Sequence, residues 1–218
     1  MDSLTDSRSQ LAMMLTLADS RLPVGGHVHS GGVEQAVADR IIVDADSLSV
    51  FLRRRVLTTG LVAASIAAAV ADGTLDVPAA QCETDARTPS AAARRASLAQ
   101  GRGMLRLARR LWQHAEWDEH VPRTHQPVIT GAVGRVCRLS GFHTALILAY
   151  TTMSGAATAG QRLLALDPAD VAVVIADLGV ECERVAAAAA VGLADLSDPT
   201  FDVFAERHER REMPLFMS

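Results

Sequence analysis

"DADSLSVFLRRRVLTTGLVAASIAAAVADG", residues 44–73, is the stretch whose reading decides the fold class. Its apolar side chains recur at helical rather than alternating spacing, and Asp46 or Ser47 is placed to cap its start. It reads as one long helix or a pair broken at Gly60. The pattern continues on both sides. Upstream, Leu11, Leu15, Ala18 and Leu22 share one helical face, ended by Pro23, Gly25 and Gly26, and "VEQAVADRII" resumes a helix after Gly32.

Downstream, "TLDVPAAQCETDAR" is a polar interlude with room for a short helix. Thr88 and Pro89 then supply a cap and a first-turn proline for a helix over 89–113, with Met104, Leu105, Ala108, Leu111 and Trp112 facing inward. Two more helices follow in "VITGAVGRVCRL" and "FHTALILAYTTMSGAATAGQRLLA". A third starts at Asp167 and Pro168, with Val171, Val174, Ile175, Leu178 and Val185 on one face. The end, "TFDVFAERHERREMPLFMS", reads as partly helical and mobile over 207–218. With no alternating β-branched runs and no internal repeat, residues 1–218 are expected to form one irregular, single-domain all-α bundle.

Composition excludes several functions. Aromatic residues make up 4% of the chain against 49% hydrophobic residues overall, so the core must be built from small aliphatic side chains and closely packed helices. The net charge of −4 offers no field for a polyanion, which argues against nucleic acid. All 21 cationic side chains are arginine, which removes a Walker lysine, a Schiff-base lysine and a Ser-Lys dyad. Cys82, Cys137 and Cys182 are isolated and odd in number, fitting a reducing cytoplasm. The acidic start "MDSLTDSRSQ" does not resemble a secretory signal, and the runs "LVAASIAAAVA" and "VAAAAAVGLA" fall short of the ~18 apolar residues of a membrane span. A soluble chain is expected.

The glycine-rich turn "LPVGGHVHSGGVE", residues 22–34, follows a helix and lacks the glycine order of a nucleotide cradle. His27 and His29 could present two imidazoles to nickel or zinc, but no third ligand stands at a telling spacing, so a structural role is the simpler reading. Arg102, Arg106, Arg109 and Arg110 fall broadly on one helix face, which is either a solvated surface or a docking surface. Gly101 and Gly103 in that helix cost about 1 kcal/mol each relative to alanine, the mark of a close crossing. No nucleophile-elbow, zinc-protease or paired-carboxylate motif is present, so catalysis is not expected.

Several separated words resemble the urease accessory protein F (UreF) family. They are "LPVGG" and "SGGVE" from Leu22 to Glu34; Arg95, Ser97, Gly101 and Arg102 in "RRASLAQGRGMLRL"; Pro127 and Gly131 in "HQPVITGAVGRV"; Arg162 and Leu163 in "QRLLALD"; and His208, Glu209, Leu215, Phe216 and Ser218 at the end. Pro214 and Met217 stand where the family usually has arginines, and His27, Val28 and His29 replace a Phe-Ser-Tyr type of segment.

The resemblance implies a non-enzymatic, all-α, homodimeric cytoplasmic protein. Such a protein bridges a urease-binding scaffold (UreD or UreH) and a nickel-carrying GTPase (UreG) as nickel is delivered to apo-urease, and it helps couple GTP hydrolysis to metal transfer. It binds no cofactor stably, and nickel is handled by the complex. The expected contact residues are Pro23, Gly25, Gly26, Ser30 and Glu34, with the GTPase facing the turn near Glu34, and Arg102, Arg162, His208, Leu215 and Phe216, with the tail docking on the scaffold. A small nickel metallochaperone using His27 and His29 is the alternative.

Overall fold

The computed structural model describes residues 2–24, 28–117, 123–195 and 198–216, with side chains from residue 10 onward. The described residues are mostly helical, with turns and loops between the helices and no strand among them. In chain order the helices are α1 (Asp2–Leu17), α2 (Val33–Ala38), α3 (Ala45–Arg55), α4 (Leu61–Ala71), α5 (Val77–Ala86), α6 (Ala91–Leu111), α7 (Gln126–Val136), α8 (Gly141–Leu164), α9 (Pro168–Ala189) and α10 (Pro199–Glu209).

Gly60 does not break the long segment. A π-turn over Val56–Gly60 carries α3 into α4, giving a continuous helix of 27 residues from Ala45 to Ala71. Thr58 and Thr59 hydroxyls donate back to the carbonyls of Arg54 and Arg55 there, relieving part of the widened turn. Its start is capped by Asp44 rather than Asp46 or Ser47: the Asp44 carboxylate accepts from Ser47 N–H at 2.9 Å, and Ser47 Oγ accepts from Asp44 N–H at 3.1 Å. This helix is long and apolar enough to cross a membrane by length and composition. It is instead the core helix of the fold, with Leu48, Leu52, Val56, Ala64, Ile66, Ala67 and Val70 all buried.

Almost every side of α4 is buried, as a central helix of mostly small residues allows. On one side lies a cluster built from α3, α8, α9 and α10, including Leu48, Leu52, Met153, Leu178, Phe201 and Phe204. On the other lies a cluster built from α6, α7 and the end of α1, including Leu17, Leu105, Ile129 and Val133. α9 begins as expected, with Asp167 capping and Pro168 in its first turn, and Val171, Val174, Leu178 and Val185 face inward. α6 is capped by Ser90, so Pro89 precedes the cap instead of opening the helix. Leu111 is exposed rather than inward, as are Leu11 and Leu15 of α1.

The two glycines of α6 are explained by close approach. A Cβ at Gly101 would overlap the carbonyl oxygen of Thr124, and one at Gly103 would overlap that of Val24. The turn after α1 therefore rests directly on the α6 backbone.

The described part of the tail, expected to be mobile over 207–218, packs against the rest of the chain. Residues 207–209 complete α10, and Phe216 is buried.

Candidate interaction site

The organising residue is Glu34, in the first turn of α2. Gly32 before it has φ 92°, a left-handed conformation that glycine adopts without strain, and a Cβ there would lie 3.6 Å from Phe51 and Phe204. Ser30 Oγ accepts from the Glu34 N–H at 3.4 Å, and the chain so turned directs the Glu34 side chain inward, where the residue is 3% exposed.

There the carboxylate is fully used. Oε1 accepts from the Leu215 N–H at 2.8 Å, while Oε2 accepts from the Phe216 N–H at 3.0 Å and from His208 Nε2 at 2.7 Å. Because a carboxylate can only accept, the Nε2 of His208 must carry a proton. Burial opposes the Glu34 charge and is the largest single influence on it. The hydrogen bonds from His208, Leu215 and Phe216 together outweigh burial and hold the carboxyl below its ordinary range.

The remaining predicted residues gather around this clamp. The guanidinium of Arg162, near the end of α8, sits 5.4 Å from the centroid of the buried Phe216 ring. Arg95 of α6 grips Glu209 through a two-point ion pair, with Nε to Oε1 at 2.9 Å. Glu206 accepts from Ser90 Oγ at 2.7 Å and Ala92 N–H at 2.9 Å at the start of α6. Arg207 pairs with Asp39, and Arg54 with Asp198. Between α6 and the tail lies a recess of about 550 Å³, with Arg102, Arg95, Pro214 and Phe216 in its lining. Leu215 and Met213 point outward, 79% and 88% exposed.

Ser30, Glu34, Arg102, Arg162, His208, Leu215 and Phe216, scattered in sequence, thus meet in one region. Pro23 is exposed in the turn nearby, and His29 is buried beside the recess. Gly25, Gly26 and His27 lie outside the described residues, and with them the proposed histidine pair. Among the described residues no three His, Cys, Asp or Glu side chains form a group fit for a metal ion.

Two expectations need correction. Glu34 is not an open contact for a partner, because the tail covers it. His208, expected among the contacts of the tail with the scaffold, is 2% exposed. The pairs Arg207–Asp39 and Arg54–Asp198 carried no sequence signal, since their partners lie 168 and 144 residues apart.

Ser97, His125 and Asp85 make a second cluster, with His125 Nδ1 3.0 Å from Ser97 Oγ and Nε2 3.1 Å from Asp85. Its order is that of a Ser-His-Asp relay. However, Ser97 Oγ also accepts the Gln126 N–H at 3.2 Å, and the imidazole is 2% exposed, so the cluster stitches α5, α6 and α7 together. Two of the cysteines are equally quiet: burial pushes the Cys137 and Cys182 thiols up to about 11.

Fold and site together define a helical protein whose tail, up to Phe216, is folded back against the glycine-rich turn. Residues 42–179 match the family model for UreF. The chain is 60% identical over 208 residues to the urease accessory protein UreF of Mycobacterium sp. (strain JLS), covering 95% of this chain and 99% of that one. It is 57% identical over 208 residues to that of Mycobacterium marinum, with 95% and 99% covered, and 56% identical over 210 residues to that of Mycobacterium bovis (strain BCG / Pasteur 1173P2), with 96% and 100% covered. The chain belongs to the UreF family of urease accessory proteins.

Proposed function

We propose that this chain is a non-enzymatic bridge, joining a urease-binding scaffold of the UreD/UreH type to the nickel-carrying GTPase UreG during nickel insertion into apo-urease. It works in the cytoplasm as a homodimer, helps couple GTP hydrolysis to metal transfer, and holds no metal stably, nickel being the cargo of the complex. The observation that carries the reading is the tail clamp. Glu34 and His208 fix Phe216 inside, so Leu215, Pro214 and the Arg102 recess are presented as one pre-shaped surface.

The scaffold docks on this surface. Exposed Leu11 and Leu15 on α1 give a separate apolar face for a lasting contact. With Glu34 covered, the GTPase contacts the outside of the turn around Pro23 instead.

Size-exclusion chromatography with light scattering, on this chain mixed with the scaffold and the GTPase, with and without nickel and a GTP analogue, tests the reading. The expected result is a ternary complex that forms only when this chain is present and loses the scaffold when residues 210–218 are deleted. Absence of any complex in every nucleotide state would overturn it. Nickel calorimetry on a His27→Ala/His29→Ala double variant separates the metallochaperone alternative, which predicts stoichiometric binding lost in the variant.

A further inference from the structure

Arg55, the last residue of α3, is less exposed than Arg54 and Arg207 and differs from them in its partners. Arg54 and Arg207 have carboxylate partners, whereas no carboxylate among the described residues pairs with Arg55. Its Nε is buried without a hydrogen-bond partner among the described residues. Burial alone pushes the group down to about 10, which leaves it charged at neutral pH, and no neighbouring acid acts on it. Its guanidinium carbon lies 5.7 Å from the centroid of the Phe201 ring, a contact that offsets part of the cost of burying the charge.

The surface Arg55 retains lines two adjoining cavities, of about 180 and 190 Å³. Both also include Gly31, Gln100, Gln126 and Thr152 in their walls, so the cavities meet around this guanidinium. Exposed Pro89 marks the outer end of one, and exposed Ser20, Thr158 and Arg162 that of the other. The carboxylates on the walls are engaged elsewhere: Asp198 with Arg54, Asp202 with the Ser90 N–H, and Asp19 with Arg21. A planar guanidinium fork with neutral amide and hydroxyl donors around it suits an oxyanion, which it grips through two parallel N–H···O bonds, and it repels a metal cation.

We propose that Arg55 is the centre of an internal binding site for a small oxyanion, a carboxylate, bicarbonate or phosphate, held by the guanidinium and flanked by Gln100, Gln126 and Thr152.

The test is a titration of the full chain with sodium acetate, sodium bicarbonate and sodium phosphate at constant ionic strength. Binding is read from the Arg55 Nε–Hε resonance of ¹⁵N-arginine-labelled protein and from the melting temperature. At least one anion should give a saturable shift and raise the melting temperature, and which anion does so identifies the ligand. Arg55→Met should weaken that binding by more than about tenfold, because one partner of the charge pair is gone. Thr152→Leu, which fills the cavity and leaves the charge in place, should do the same and carries the test if Arg55→Met fails to fold. No saturable response to any of the three anions, or an unchanged response in a folded variant, overturns the proposal. Complex formation with the scaffold and GTPase is measured separately, so failure here leaves the bridging function untouched.

Discussion

The carboxylate of Glu34 and the imidazole of His208, 174 residues apart in sequence, meet at 2.7 Å in the interior, and each is almost fully buried. The pair closes the chain on itself: the glycine-rich turn supplies the acid, α10 supplies the base, and the last described residues supply two amides. A turn and a tail that read as two separate docking elements are therefore one structure.

Glu34→Gln keeps the size of the side chain but removes its charge and places an N–H₂ against donors. It should destabilise the protein by about 1–3 kcal/mol, the range for losing charge-assisted hydrogen bonds and leaving donors unsatisfied. Hydrogen exchange should quicken at the amides of Leu215 and Phe216 well before it does in α4. Unchanged protection at those two amides would show that the clamp does not hold the tail.

Stability should fall in two stages on acidification. His125 has its folded-state pKa lowered, chiefly by burial, against an ordinary value of 6.5. The unfolded chain therefore binds the extra proton first, and stability drops as pH falls below 6.5 toward the folded pKa. Glu34, lowered from an ordinary value of 4.5, contributes stability that is present above that value and is lost as pH falls from it through the folded pKa. Chemical denaturation at a series of pH values should show His125→Gln flattening the first stage and Glu34→Gln the second. Identical slopes in wild type and variants would refute the assignment.

Gly101→Ala and Gly103→Ala should each destabilise by about 1–3 kcal/mol through overpacking, although alanine is the better helix former. The added Cβ would press on the Thr124 or Val24 carbonyl oxygen. Gly155→Ala in α8 is the control: nothing lies within 4 Å of its Cβ position, so this change should stabilise by about 0.5–1 kcal/mol. Thermal melts of the three variants decide whether close packing or flexibility explains the α6 glycines.

Helices were legible where period and punctuation agreed, as at Asp167 and Pro168 or along the inner face of α9. Gly60 left two readings open because a glycine weakens a helix without always ending it; the long-helix reading is the one found, with a π-turn at the glycine. The tail, by contrast, misled. "RHERREMPLFMS" is charged and short, so local composition predicts solvent exposure. Its burial of His208 and Phe216 depends on Glu34, on Arg162 and on Arg95 gripping Glu209, partners set by tertiary packing alone. The motif residues were visible as words, but their convergence was not.

Leu215 and Phe216 are adjacent yet should behave oppositely. Phe216 is buried against Arg162, so Phe216→Ala removes apolar contact and should loosen the clamp at a cost of about 1.5–3 kcal/mol. Leu215 is 79% exposed and contributes to the clamp only through its backbone N–H, which alanine retains. Leu215→Ala should therefore change stability by less than about 0.5 kcal/mol. If the tail surface is the scaffold contact, the same change should weaken scaffold binding by about 1 kcal/mol or more, as loss of an apolar anchor does. Denaturation midpoints and scaffold titrations on the two variants separate folding from docking. Scaffold binding untouched by Leu215→Ala but lost in Phe216→Ala would place the contact on a surface that the clamp shapes without contributing Leu215 itself.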